Sequence, residues 1–486
     1  MSGLEHAAEL AANSDRVVTR LFLPGEGHVS GHSRTTEIAA RVLAIPPGRA
    51  DTIAAELIAD LSRRHLDPAS VFERNAAAIE SRVADVSALT TAQRVLLGAT
   101  FTTEYAVEGA ALCNPSAVEH PDQGGLEPGQ LRVAIATRSI GEGHVSSITF
   151  AEAVIDADDE WVFTERQYPL AQAAISEGTW DHSHLHRALE HEGRLNELSS
   201  AALRQLPARF PVSALEAALA GLPAELTTHR DSRIDSDSLH RMAASAYEAR
   251  FDHNTALSQR VLLPTAADED HGMEDARFVR FTDADGEVDY RATYTAYDGS
   301  AVAARLITTP DLEDFAMHRL SGGAAGTKGM ALFPRVVGCE HLALSRSDGE
   351  SISLARSDDG MVWTDTAVVH RPTEAWELVQ TGNCGSPIET PAGWIALTHG
   401  VGPTRTYALG ALLLDRDDPS RVLGRTTEPI LRPGRERAGG YVPNVIYSCG
   451  GLVHNGVLWV PFGIDDSRVG VFSIGVDELL ASMTAV

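Results

Sequence analysis

Cysteine is scarce. The 486-residue chain has four, Cys113, Cys339, Cys384 and Cys449, far apart and without a CxxC pair. That spacing excludes a disulfide framework or a zinc ribbon and points to buried thiols in a reducing compartment. Long apolar runs are missing as well: no stretch reaches the roughly 18 uninterrupted apolar residues that a membrane-spanning helix needs. Basic side chains number 40 against 67 acidic ones, a net charge of −27. Nucleic-acid binding requires clustered Lys and Arg, and an anionic membrane surface selects for the same groups, so neither partner is expected. The first residues, MSGLEHAAELAANSDR, carry acids where a secretory leader carries a basic start and an apolar stretch. A cytoplasmic location is therefore expected. Three common catalytic signatures are also absent: GxSxG, HExxH and GxxxxGK[ST].

The apolar content, 43%, is ordinary for a globular protein. The length predicts one large fold or two to three units with a sizeable core. Residues 17–24 and 36–45, rich in Val, Ile and Leu, read as strands. Helical spacing follows: Ile53, Leu57, Ile58 and Leu61 share one face, and Phe72, Ala76, Ile79 and Val83 another. Asp67-Pro68 is a helix start, an acid at the N-cap before a Pro in the first turn. A further short helix is predicted over 91–97.

Strand-like runs at 131–139 and 146–155 precede a second helical stretch, 183–252. From Ser258 onward, short strands follow one another to the end, separated by acidic turns such as DADGE (283–287) and DRDD (415–418). Many short strands without alternating helices predict an all-β fold, and more than 200 residues of them favour a propeller. The expected division is a strand-plus-helical section over 1–100, a first propeller part over 101–182, a helical insertion over 183–252, and the remaining blades over 253–486.

Two loops echo each other, PGEGHVSG at 24–31 and IGEGHVSS at 140–147. They read either as similar strand-turn elements packed side by side or as two loops lining one polar site through His28 and His144. Cys384 sits in a Gly-rich turn, GNCGSP, but a nucleophilic thiol needs a neighbouring His, and nothing in the sequence places one. DADGE lacks the other ligands of a calcium loop and reads as a hairpin turn. His399 follows an apolar strand and precedes Gly400, which suits a structural or a substrate-contacting imidazole. Glu274 and Asp275 are adjacent at the start of a strand. Strand alternation would send one carboxylate into a cleft and leave the other in the scaffold.

Six blocks occur in order: NPSAVEHPDQ (114–123), GMEDARF (272–278), KGMALFPR (328–335), GNCGSPIETPAGWIALTHGVG (382–402), LGALLLDRDDPSRVLGRTTEPIL (409–431) and YVPNV (441–445). Together they resemble glycoside hydrolase family 130, the β-mannoside phosphorylases and related β-mannosidases. The resemblance covers roughly 101–180 and 258–486, and the N-terminal part resembles a longer branch of the family. It implies a five-bladed β-propeller, with the helical parts as additions. It also implies inverting chemistry on a terminal β-mannosyl unit, with inorganic phosphate as co-substrate and α-mannose 1-phosphate as product. No metal or organic cofactor is implied.

By the same resemblance, Asp275 is the general acid. Lys328, Arg346 and Arg138 supply positive potential for phosphate, and Asn114, His399 and Asp466 orient the sugar. Arg291 and Arg305 are further phosphate candidates. One departure is Ser345, where phosphorylases of the family commonly show a His before the Arg. Hydrolysis by water is an alternative, with Glu350 or Glu274 as base, and so is a glycan-binding propeller without catalysis. The physical demands differ. A phosphate nucleophile needs cations and donors, whereas water needs a second carboxylate roughly 6.5–9.5 Å from the acid. The expected partners are a β-mannosyl oligosaccharide and phosphate, and the sequence leaves room for a homo-oligomer.

Overall fold

The computed structural model describes residues 3–24, 34–80, 89–227, 230–434 and 440–486. The chain divides into two compact units. The smaller one takes residues 13–109 and 167–172. It contains the helices Arg34–Leu43, Pro47–Leu61, Pro68–Ile79 and Thr91–Thr100 and a hairpin-like pair of strands, Val17–Leu21 and Thr102–Ala106. The predicted start at Asp67 is a true N-cap, its carboxylate accepting from the Ser70 amide at 3.1 Å. Ala39, Val42, Ala50, Ile79, Leu97 and Phe101 form the core of this unit.

The strand expected over 36–45 is instead helix Arg34–Leu43. Its buried residues, Thr35, Ala39 and Val42, recur at helical spacing, while Glu37 and Arg41 lie one turn apart on the exposed side. Val83 and the first GEGHVS copy, His28 included, lie outside the described residues.

The larger unit takes residues 1–12, 110–166 and 173–486. Its first strand, Leu4–Ala11, departs from the expected 1–100 section. It pairs antiparallel with Arg468–Gly475, near the other end of the chain. The sequence LEHAAELA alternates only weakly, and its pairing partner is more than 450 residues away, so no local pattern announces it.

Four large sheets make up the unit. A 12-stranded sheet runs through Ala111–Glu119, Leu131–Ile140 and Ser146–Ile155, then through Gly272–Thr282, Val288–Tyr297, Val302–Thr309 and Asp314–Arg319. Its two halves meet at a single parallel bridge, Gly272 to Ser146. A Cβ on Gly272 would stand 2.8 Å from the Ser146 amide nitrogen, so only glycine permits this approach. A four-stranded sheet covers 331–370, a six-stranded sheet is built mainly from 380–425, and a five-stranded sheet holds the first strand with 446–475. DADGE closes the hairpin between Gly272–Thr282 and Val288–Tyr297, with the Asp283 carboxylate accepting from the amides of Asp285 and Glu287.

Apolar clusters join each sheet to the next. Leu112, Val133 and Ile135 pack with Trp459 and Val471. Val279 and Leu306 pack with Leu332 and Trp363. Leu344 and Leu354 pack with Trp394 and Leu412, and Ile395 and Leu409 with Leu458 and Phe462. Between the halves of the large sheet, Phe150 meets Phe278 edge-on at 5.9 Å.

Most of the stretch expected to be helical, 183–252, forms a helical layer within the unit, but its end does not: Tyr247–Arg250 is a strand of the 12-stranded sheet, paired with Asp314–Arg319. The helical layer comprises His182–His191, Glu197–Leu203, Val212–Ala220, Ala224–Thr227 and Arg230–Ala243. Asp181 and Asn196 cap the first two helices. Trp180, Leu185, Leu198, Phe210, Leu215 and Leu239 make its core.

Candidate active site

Two β-bulges set the geometry of the site. Register slips between Cys113 and Ser116 in one strand and between Glu274 and Arg277 in another. At these points Asn114 and Asp275 take left-handed backbone angles, φ 50° and 57°. A bulge re-aims a side chain out of the alternating pattern, and non-glycine residues held left-handed concentrate at functional sites. The two side chains meet: Asn114 Nδ2 donates to Asp275 Oδ1 at 2.5 Å. Asp466 sits in a turn with its neighbour Asp465, both at φ 49°.

Glu274, the other carboxylate of the pair, is held by two cations. Arg138 reaches both carboxylates, with Nη2 2.7 Å from Glu274 Oε1 and Nη1 3.4 Å from Asp275 Oδ1. Lys328 Nζ lies 2.5 Å from the other oxygen of Glu274. Arg277 holds the bulge from behind. Its Nη1 donates to the Asp275 carbonyl at 2.7 Å, its Nε to the Cys384 carbonyl at 2.6 Å, and its Nη2 to the Tyr447 hydroxyl at 2.9 Å.

These residues surround one cavity of about 500 Å³. Asn114, Arg138, Asp275 and Lys328 line it, and so do Arg346, His399 and Asp466. All seven residues singled out from the sequence are thus brought together, although they span more than 350 positions. The sequence reading missed Arg277, Arg405, Tyr407 and Tyr447, which share the wall. Arg277 stands two residues after Asp275 in the GMEDARF block, and that proximity was the available signal. Arg405 and the two tyrosines stood out in no motif.

Of the four other candidates, three lie elsewhere. Arg291 pairs with Asp289 and lies over the Phe281 ring. Arg305 is fully buried with Asp268 and Glu269. Glu350 is exposed and off the cavity wall. Glu274 is occupied by Arg138 and Lys328. Ser345 donates to Asp365 at 2.5 Å. His144 hydrogen-bonds Tyr441 at 2.6 Å and does not line the cavity. Cys384 is buried, and burial pushes its thiol up to about 12, so the group is inert as a nucleophile.

The electrostatics separate the two carboxylates on the wall. Burial works to raise Asp275, but Arg138, Arg277, the Asn114 hydrogen bond and Lys328 outweigh it and hold the carboxyl below its ordinary range. Asp466 goes the other way. Burial first, and then the Asp275 charge, push it up to about 6. His399 is kept neutral, by burial and then by Arg346 and Arg277. Its Nδ1 is buried without a hydrogen-bond partner among the described residues, and its ring stacks on Tyr407 at 6.1 Å.

Two cations on the wall lack a carboxylate partner. Neither Arg346 nor Arg405 makes an ion pair among the described residues; Arg346 donates only to the Gly349 carbonyl, at 3.3 Å, and its Nε is buried unpaired. Five cationic side chains line the cavity against two carboxylates, Asp275 and Asp466. Lys328 has a further distinction: it is the only lysine in the chain, all other basic residues being Arg. A compact ammonium on a flexible stem differs from the rigid guanidinium fork, and this chain uses it at one place only. No group of His, Cys, Asp and Glu suited to a metal occurs among the described residues.

A family profile described as beta-1,4-mannooligosaccharide phosphorylase, glycoside hydrolase family 130, matches residues 238–485, just over half of the chain. The 1,2-beta-oligomannan phosphorylase of Thermoanaerobacter sp. (strain X514) is 37% identical over 155 residues, which cover 31% of this chain and 52% of that protein. A beta-1,2-mannobiose phosphorylase of the same strain is 31% identical over 223 residues, 45% of this chain and 72% of that protein. The chain thus spans about half the length of the first relative. A solved structure of the beta-1,2-mannobiose phosphorylase from Listeria innocua with beta-1,2-mannobiose superposes with a TM-score of 0.44 at 21% identity, over 78% of this chain and 92% of that one. The chain belongs to glycoside hydrolase family 130.

Proposed function

We propose that the protein is an inverting phosphorylase of terminal β-mannosides, releasing α-mannose 1-phosphate. The observation that carries this reading is the cation excess around Asp275. Arg346 and Arg405 line the wall without an ion pair among the described residues, and Arg138 and Lys328 stand beside the Glu274–Asp275 pair. A cavity built for water as nucleophile has no use for such an excess of cations on its wall; a phosphate dianion does.

In the reaction, a phosphate oxygen forms a bond to the anomeric carbon as the glycosidic C–O bond breaks on the opposite face. The bonding pair stays on the departing oxygen, which takes a proton supplied by Asp275, passed through a sugar hydroxyl. The proton carried in by hydrogen phosphate restores the balance. Asp275 is ionised in the empty cavity, because the cations around it hold it low. A phosphate dianion beside Arg138 and Lys328 competes for those cations and raises the carboxyl toward the protonated form that a general acid requires. Asn114, His399 and Asp466 contact sugar hydroxyls in this reading.

The sheets are the blades of a five-bladed propeller in the same reading. The 12-stranded sheet counts as two blades joined at Gly272 and Ser146, and the apolar clusters run from each sheet to the next and back to the first. Phosphate serves as co-substrate and no cofactor takes part. A cytoplasmic location suits the reaction, since a sugar phosphate would be lost outside the cell. No helix among the described residues is long and apolar enough to cross a membrane. Hydrolysis is the second reading, favoured by one observation: Asp466 is a second carboxylate on the wall.

The test is incubation with β-1,2-, β-1,3- and β-1,4-mannobiose, with and without phosphate. Phosphate-dependent mannose 1-phosphate is expected, and Asp275→Asn should lower kcat about 10²–10⁴-fold. Free mannose formed regardless of phosphate would replace this reading with the hydrolytic one. Lys328 gives an independent readout. Reductive ¹³C-methylation should yield one side-chain NMR signal besides the α-amine, and phosphate should shift it.

A further inference from the structure

A second cavity, of about 470 Å³, adjoins the first. Val302 lies on the wall of both. One side of the second cavity comes from the sheet, at 267–270, 298–303 and Arg319; the other comes from the helical insertion, at Glu192, Arg194, Ser238, Arg241 and Met242. The two sides are tied together. Arg319 bonds Glu192 of the insertion at 2.8 Å and Asp268 of the sheet side at 3.0 Å. Arg305, buried below, holds the same Asp268 at 2.8 Å.

The chemistry of this cavity differs from that of its neighbour. Four carboxylates stand against three guanidiniums, where the first cavity has two against five cations. An anion gains nothing there. Several polar groups are left over: Arg241 and Asp270 have no ion-pair or hydrogen-bond partner among the described residues, and neither does the nine-tenths-buried Ser238 hydroxyl. Interspersed donors and acceptors with little net charge, in a space of ligand size, suit a neutral polyhydroxylated molecule.

We infer that this cavity, built jointly by the insertion and the sheet, binds the leaving-group sugars of a neutral oligosaccharide beyond the bond that is cleaved, so that the enzyme favours chains longer than a disaccharide. The inference rests on the phosphorylase reading. The insertion is then a specificity element. Its residues take no part in the bond cleavage, and they hold the far end of the substrate while Asp275 and the cations act on the near end.

The experiment compares kcat/KM for β-mannobiose, β-mannotriose and β-mannotetraose at saturating phosphate, in the wild type, Arg241→Ala and Asp270→Ala. Both side chains are exposed at the cavity rim, and unchanged melting curves check that the variants fold. The expected result is a rise in wild-type kcat/KM with chain length of about fivefold or more, the factor one added hydrogen bond supplies. In the variants the rise disappears while the mannobiose value stays. A flat wild-type series, or variants that keep the rise or lose mannobiose activity, would overturn the inference and leave the phosphorylase reading standing. If no β-mannoside of any length yields mannose or its phosphate, the phosphorylase reading itself fails and takes this inference with it.

Discussion

At the scale of single residues, the two carboxylates of the cavity are set apart by their surroundings. Asp275 is held low by cations and Asn114, while Asp466 is pushed up to about 6 by burial and by Asp275. Interacting carboxyls titrate as a pair. Above about pH 6 an ionised Asp466 opposes a second negative charge and so helps Asp275 keep its proton. Asp466→Asn is neutral at every pH and withdraws that help. The basic limb of the kcat/KM profile should therefore move to lower pH; an unchanged limb would rule out the coupling. The stability effect has the opposite sense. A carboxyl whose folded pKa lies above its unfolded value of 3.8 binds more protons in the folded state, so its contribution falls as pH rises through that window. At about 1.36 kcal/mol per unit, ionised Asp466 costs the fold up to about 3 kcal/mol, and Asp466→Asn should melt higher than wild type at pH 8. More stability with less activity is the expected signature of a group kept for function.

At the scale of elements, the site depends on places where regular strand geometry is interrupted. The bulges at 113–116 and 274–277 turn Asn114 and Asp275 inward, and Arg277 pins the second one. Gly382 shows the same economy of space. A Cβ there would lie 2.5 Å from the His399 ring and 2.6 Å from Arg346 Nε. Gly382→Ala should therefore displace both side chains and lower kcat/KM on the order of 10²-fold, the effect of a misplacement of about 1 Å. A circular-dichroism spectrum like that of wild type would show that the sheet persists; wild-type kinetics would show that the contact is dispensable. These elements were only partly legible in the sequence. Gly393–Val401 and Arg468–Gly475 follow from apolar β-branched runs. The bulges do not, because a single extra residue leaves the hydrophobic pattern almost intact while reversing which way a side chain points. Helix Arg34–Leu43 was misread because its Ile, Val and Leu content is that of a strand and only the spacing of buried positions is helical.

At the scale of the whole molecule, the larger unit is completed by its first strand. Leu4–Ala11 covers the edge of Arg468–Gly475, His6 bonds Ser473 at 2.8 Å, and Leu10 enters the cluster around Trp459. Removing residues 1–12 would expose that edge, a template for pairing with another chain. The truncated protein should melt lower and associate at micromolar concentration; an unchanged melting temperature with a single sharp peak in size-exclusion chromatography would show that this pairing is not needed.

The sequence by itself determined the mostly β character with a helical stretch and, through six ordered blocks, the family, because periodicity and ordered motifs are local properties; the seven residues found on the cavity wall came with the family resemblance. The tertiary structure alone decided the rest. It brought Arg138 and Lys328 to Glu274, left Arg346 and Arg405 without an ion pair among the described residues, put Arg291 and Arg305 elsewhere, and opened a second cavity between insertion and sheet. Charge balance in a cavity depends on which groups share it across hundreds of residues, and a linear pattern holds no record of that distance.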